Sequence, residues 1–366
     1  MKKTITLASA TAATVAALVS TAAQAQSNVT MYGILDVAVE RYSNADAAGN
    51  SVTRMPSLGG GMFPSRVGFR GAEDLGDGLK AIFQLESGFA PDTGAMGQGN
   101  RLFGRQAWVG LAGKWGQLTF GRNYNMLNVS TYDVDIIGPS QYGLGSLDSF
   151  IPNGRTDNSI AYRGTFSGLT LGGTYSLGRD TSSAGGPAAT NCAGESGTDA
   201  MQCREWSALA RYDGNGYSLI SAYDRIYGGP NASGGLSSSD KTDSRLHLAA
   251  FLKRDDWKLG LGLITRDNDG SATPRSRLSY ISAAYNITPL FSVDGQLSKL
   301  DVRDSSNDAT QMVLRGTYNL SKRTAVYVAV ARMNNDGQSA VVLSAGGSVG
   351  AGLNQNGFIT GVKHSF

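Results

Sequence analysis

The chain has 366 residues, with 32 Lys and Arg against 29 Asp and Glu, and 41% of it is hydrophobic. A formal charge of +3 lacks the basic excess of a nucleic-acid binder. Beyond the first 25 residues no apolar run is long enough for a membrane helix, which excludes a helical membrane protein. The 49 Gly, 15 Tyr and only 9 Pro point instead to many strands and many turns.

The start of the chain reads as an export leader. Lys2 and Lys3 precede an apolar, small-residue run that ends in Ala23-Gln24-Ala25, an A-x-A cleavage pattern. We expect a signal peptide over 1–25 and a single domain over 26–366. Taking Lys2 and Lys3 from the 32 bases leaves 30 against 29 acids.

The segments that follow alternate with period two. The first, VTMYGILDVAVERY, is a strand candidate. In PSRVGFRGA, Val67 and Phe69 oppose Arg66 and Arg70. In LKAIFQLESGF, Leu79, Ala81, Phe83 and Leu85 oppose Lys80, Gln84 and Glu86. In DNSIAYR, Ile160 and Tyr162 oppose Asp157, Ser159 and Arg163, and LTLGGTYSL and QMVLRGTYNL behave alike. Such a pattern gives each strand one apolar and one polar face.

A soluble sandwich would alternate too, so the connectors decide. Short ones (EDLGDG, AGKWG, FSG, DGNG, RDD, TP, LSKR) alternate with long ones near 43–63, 91–100, 125–153, 180–203, 228–241, 268–275, 302–308 and 336–355. Seven tight turns and eight long loops imply sixteen strands, with both ends on the turn side. The expected fold is all-β: a sixteen-stranded antiparallel transmembrane β-barrel with short periplasmic turns and long extracellular loops. Pairing of the first strand with the last removes both edges. The final Phe366 then falls in the aromatic girdle at the periplasmic interface. Trp108, Trp115, Trp206 and Trp257 lie near expected strand ends, as belt anchors would.

The pattern breaks in two places. Arg105 shares parity with Val109 and Leu111, and TAVYVAVARM is apolar on both faces. A subunit contact or an inward hydrophobe would each produce the second. Cys192 and Cys203 sit in a polar, Gly-rich segment, where a disulfide would staple one loop; free thiols are the other reading.

Five stretches carry a resemblance over the whole exported chain: SRVGFRGAEDLGDGLKAIFQLESGF, FGRQAWVGLAGKWGQLTFGR, RTDNSIAYRG, NLSKRTAVYVAVARM and the terminal GVKHSF. They are similar, in the same order, to the general diffusion porins of Gram-negative β-proteobacteria. The Arg163-Gly164 pair after Tyr162 departs from the family's frequent Ser-Pro. The resemblance implies a homotrimer in the cell outer membrane, a water-filled pore narrowed by an inward-folded third loop, and a terminal Phe366 read by the barrel-assembly machinery. It also implies a basic constriction cluster at Arg66, Arg105 and Arg155.

A pore selects by its radius and by its field. Arg70 points inward by parity with Arg66, and Lys80 is a further inward base. The third loop supplies Asp133, Asp135 and Asp148 as facing acids. Three Arg against one or two Asp would favour anions weakly. No cofactor or metal is expected. GDGLKA fits a dinucleotide fingerprint only formally, being a strand–turn–strand, and DNDG lacks a calcium loop's terminal Glu. Partners follow from the setting: small hydrophilic solutes and ions, outer-membrane lipid and lipopolysaccharide.

Two other readings remain. An outer-membrane barrel enzyme, a protease or phospholipase, would need His247 or His364 beside a nucleophile or acid. A substrate-specific channel would need inward aromatics, whereas Tyr and Trp fall mainly on outward parities.

Overall fold

The computed structural model describes residues 28–56, 60–184 and 190–366. The expected leader lies outside these residues. β1 (Asn28–Tyr42) and a three-residue ribbon, β2 (Val52–Arg54), precede seven hairpins. These are β3 (Arg66–Gly76) with β4 (Leu79–Gly88), β5 (Gln106–Gly113) with β6 (Gly116–Tyr124), and β7 (Arg155–Phe166) with β8 (Leu169–Ser176). Then come β9 (Glu205–Asp213) with β10 (Tyr217–Tyr227), β11 (Thr242–Arg254) with β12 (Trp257–Asn268), β13 (Arg275–Asn286) with β14 (Phe291–Val302), and β15 (Ala309–Asn319) with β16 (Thr324–Asn335). β17 (Gln355–Ser365) is the last.

Among the described residues sixteen of these strands form the wall, all antiparallel, and β2 only extends the first loop along Glu40–Tyr42 of β1. The barrel closes on β1. Its Asn28–Ile34 half pairs with β3 and its Ile34–Tyr42 half pairs with β17. The seam ends where Gly33 and Phe366 exchange backbone hydrogen bonds of 3.0 and 3.1 Å. Closure leaves no unpaired edge to face lipid. The hairpins turn tightly where the sequence supplies residues that tolerate positive φ, as at Asp77 and Gly78 between β3 and β4.

Alternation sorts the two faces of the wall. Ala250, Leu261, Ile281, Leu297 and Met312 are directly paired across β11 to β15, a row of apolar side chains on the outer surface. Towards the turns the outer face becomes aromatic, with Tyr212, Tyr217, Trp257, Tyr285, Tyr318 and Phe366 all exposed. This is the hydrocarbon band and its girdle. Trp108 does not belong to it. It sits within β5, directly opposite Gln84, and faces the lumen, because inward parity overrides its nearness to a strand end.

The third loop, residues 125–154, folds into the barrel. It holds α1 (Met126–Ser130), α2 (Leu144–Leu147) and a 3-10 turn at Ile151–Asn153. The Asn125 side chain caps α1 by accepting from the Asn128 amide at 2.9 Å. Its apolar residues Val134, Ile137, Leu144 and Ile151 pack on inward Ile220, Ile264, Leu278 and Tyr327. This explains the doubly apolar stretch of β16. Ala325, Tyr327, Ala329, Ala331 and Met333 face inward and are buried, while Val328 and Val330 face out. The inward hydrophobe accounts for the apolar lumen face.

Polar ties fix the loop along the same half of the wall. The Asn125 amide donates to Glu205 and to Asp224, both at 2.9 Å. The Ser130 hydroxyl meets His247 Nδ1 at 2.7 Å, and Ser282 donates to the Val134 carbonyl at 2.8 Å. Arg315 donates to the carbonyls of Ile137 and Ile136 at 3.1 and 3.4 Å. Arg245 grips Asp148 with two nitrogens, at 2.7 and 3.2 Å. Buried polar groups paired in this way hold one loop conformation and leave little desolvation cost.

Candidate pore constriction

With the loop pinned to β9–β17, the open part of the lumen lies against β3–β7. A cavity of about 490 Å³ runs between loop and wall there. Arg66, Arg105 and Arg155 converge on it from the start of β3, the residue before β5, and the start of β7. Arg105 precedes the regular strand, so its parity with Val109 does not apply and its side chain turns inward.

Two groups that sequence reasoning left out hold the cluster together. Glu86 accepts from Arg105 Nε at 2.7 Å and lies 3.6 Å from Arg66 Nε. The Tyr124 hydroxyl accepts from Arg105 at 2.7 Å and from Arg155 at 3.0 Å, and the Arg155 guanidinium lies 4.6 Å from the centre of its ring. Tyr32 adds a hydrogen bond to Glu86 at 2.9 Å. Arg66 and Arg105 therefore share one carboxylate, and Arg155 is tied to Arg105 through the Tyr124 hydroxyl. The inward parity of Glu86 with Gln84 was the available signal; Tyr124 closes a strand and carried none.

The other expected site residues are spread out. Arg70 stands two inward rows nearer the turns than Arg66, 5.3 Å from the centre of the Tyr32 ring. Lys80 is nearer the turns still, opposite Asp74. Asp133 lines the cavity but pairs with Arg211 at 2.5 Å. Asp135 also lines it, accepts from the Gly138 amide at 3.1 Å, and is buried. Burial pushes its carboxyl up to about 6, against the pull of the Gly138 amide, Gln296 and Arg315. Asp148 is turned away from the cavity. Burial works against its charge, yet Arg245 and Arg266 hold its carboxyl below the usual range.

The remaining motifs fall to structure. Asp77 and Gly78 of the GDGLKA stretch form a hairpin turn. In the DNDG loop Asp267 lies 3.5 Å from Arg275, and Asp269 accepts from the Thr242 amide at 2.9 Å. Among the described residues no group of three His, Cys, Asp or Glu is placed to hold a metal ion. His247 is buried between Ser130 and Tyr280, and Ser130 donates to the Leu127 carbonyl at 2.6 Å, so no nucleophile faces solvent there. His364 meets Thr324 at 2.9 Å. Cys192 and Cys203 are bonded, with an S–S length of 2.08 Å.

A closed barrel with an apolar outer band, an inward loop and a charged eyelet defines an outer-membrane channel for small hydrophilic solutes and ions. The chain belongs to the Gram-negative porin family, whose profile matches residues 12–338. An outer membrane porin protein of Bordetella pertussis is 33% identical, covering 89% of this chain and 93% of its own length. Outer membrane porin protein 32 of Delftia acidovorans is 29% identical, covering 95% and 96%. Among solved structures, the anion-selective porin from Comamonas acidovorans superposes with a TM-score of 0.73 at 26% identity, over 93% of this chain and all of that one. The family comprises channels, not enzymes.

Proposed function

We propose that this porin favours anions, with Arg66, Arg105 and Arg155 as the filter. The observation that carries the reading is the gathering of three guanidiniums around a single carboxylate, Glu86, which pairs with Arg66 and Arg105 while Arg155 is held by Tyr124. A solute passing there meets a net positive wall. The similar porin from Comamonas acidovorans is described as anion-selective, which supports the same sign. Arg70 extends the positive surface towards the turns, and Asp133 and Asp135 form the opposing side. Reversal potentials across a planar bilayer under a potassium chloride gradient test the sign. A cation preference would sink it.

The channel works as a homotrimer, as one related barrel has been described in trimer form. Chemical cross-linking in detergent tests this. Contact with the phosphorylated glycolipid of the outer leaflet is supported by the outer face near the loops. There Arg275 lies beside Arg303, Arg277 opposite Asp301, and Lys299 one row below. The exposed ring of Phe366 at the barrel seam supports its reading by the assembly machinery. Cleavage after Ala25 is tested by sequencing the N-terminus of the exported protein.

A further inference from the structure

A second lumen cavity, of about 280 Å³, lies on the turn side of the arginine cluster, between β4–β7 and the underside of the third loop. Its most unusual component is Trp108. A lumen filled with water gives no hydrophobic reason for an inward indole in mid-strand. The indole nitrogen donates to Gln106 at 3.1 Å, so its one polar group is satisfied and the rest of the ring offers apolar surface. Gln84 stands directly opposite on β4, and Gly121, opposite on β6, has no side chain to cover the ring.

Two further groups face the same space without a task. Gln117 and Arg163 are directly paired across β6 and β7. Among the described residues the side chain of neither makes a hydrogen bond or ion pair within the protein. Tyr132, projecting from the loop and 55% exposed, forms the lid side. The cavity thus combines a flat apolar surface, amide donors and acceptors, and one unpaired guanidinium. Sites for small molecules are concave, with a few polar groups fixing orientation.

We infer that this cavity is a binding station for a pyranose bearing one carboxylate, a hexuronic acid such as glucuronate. The sugar's C–H face lies on Trp108, its hydroxyls meet Gln84, Gln106 and Gln117, and its carboxylate meets Arg163. Simpler occupants match the lining less fully. An inorganic anion would use Arg163 and leave Trp108 without purpose; a neutral sugar would leave the guanidinium unmatched. The inference rests on the porin reading and makes the channel more than a sieve. It also revises the expectation that aromatic side chains point outward, since Trp108 and Tyr132 do not.

The test is block of potassium chloride current through the purified porin in a planar bilayer, with glucuronate, glucose or acetate added. Glucuronate should reduce conductance saturably, glucose more weakly, and acetate not at all. Trp108→Ala should weaken the glucuronate block about tenfold, as loss of one good contact does. Gln117→Ala and Arg163→Ala break no side-chain hydrogen bond or ion pair within the protein and should leave the fold intact. Arg163→Ala should bring glucuronate down to the level of glucose. A wild-type channel that conducts normally but shows no saturable block overturns the station and leaves the pore standing. Block that survives Trp108→Ala and Arg163→Ala also overturns it. Failure of the protein to conduct at all would strike the porin reading itself.

Discussion

Neutralising the arginine cluster is the sharpest perturbation of selectivity. Arg66, Arg105 and Arg155 with Glu86 carry a net charge of +2, and replacing all three Arg by Gln leaves −1 from Glu86. At roughly 6 Å in a water-filled pore, a unit charge acts on a passing ion with about 0.7 kcal/mol. Salt at about 0.1 M, with a Debye length of about 10 Å, cuts this to about 0.4 kcal/mol. That is roughly a twofold gain for an anion and the inverse for a cation, or about fourfold in their ratio, per charge. Three charges then move the anion-to-cation ratio by about fiftyfold, enough to reverse its sign. Asp133 and Asp135 lower the absolute preference, but they are the same in both proteins and drop out of the difference. The assay is the reversal potential under a tenfold potassium chloride gradient. Glu86→Gln supplies the opposite arm, adding one net positive charge and about fourfold in favour of anions. A folded triple variant with the wild-type reversal potential, or a Glu86→Gln shift towards cations, would refute the electrostatic argument.

Acidification should raise the anion preference as the pH falls through about 6, because Asp135 is charged above that value and neutral below it. Its ordinary carboxyl value is lower, so folding loses stability as the pH rises towards 6 and regains it below; Asp135→Asn should flatten both profiles in a pH series of reversal potential and of unfolding. Asp148 has the opposite sign. Its carboxyl is held down, so its contribution is present above the ordinary value and lost as the pH falls through the lowered one. Arg245→Ala leaves Asp148 and Asp243 without this buried partner and should cost about 3–5 kcal/mol, read as a lower temperature of heat-modified gel mobility and noisier open-channel current. Reducing Cys192–Cys203, eleven residues apart, should cost about 3 kcal/mol of unfolding stability and leave conductance unchanged. Gly33→Val should impair barrel closure, since a Cβ there would meet the Phe366 ring at 2.3 Å and the Arg66 carbonyl at 2.7 Å; semi-native gel mobility should show less folded barrel.

The wall was legible because lipid and water impose opposite demands on neighbouring residues. Each hairpin therefore shows period two, and turn length reports which side of the membrane a connector occupies. Arg66 was readable for the same reason, as an inward residue opposite Val67 and Phe69. Arg105 was not readable by parity, because it sits just outside β5, and only the family resemblance located it. The scaffold of the cluster was harder still. Tyr124 reaches two arginines from strands on either side of its own, a relation set by barrel curvature and not by spacing. The inward apolar residues of β16, Tyr327 among them, looked like a break in the pattern because the loop that covers them lies far away in sequence. Trp108 was misjudged because proximity to a strand end is a weaker constraint than the face it occupies.

The third loop fills one side of the bore and leaves the other open. A permeating molecule therefore travels along a crescent, with arginines on one flank and loop carboxylates on the other. A transverse field of that kind exerts a torque as well as a pull. Solutes with a large dipole should cross in a preferred attitude, negative end towards β3–β7. Two isomers of equal mass and charge should then permeate at different speeds when their dipoles differ, so that molecular orientation becomes part of what this opening sorts.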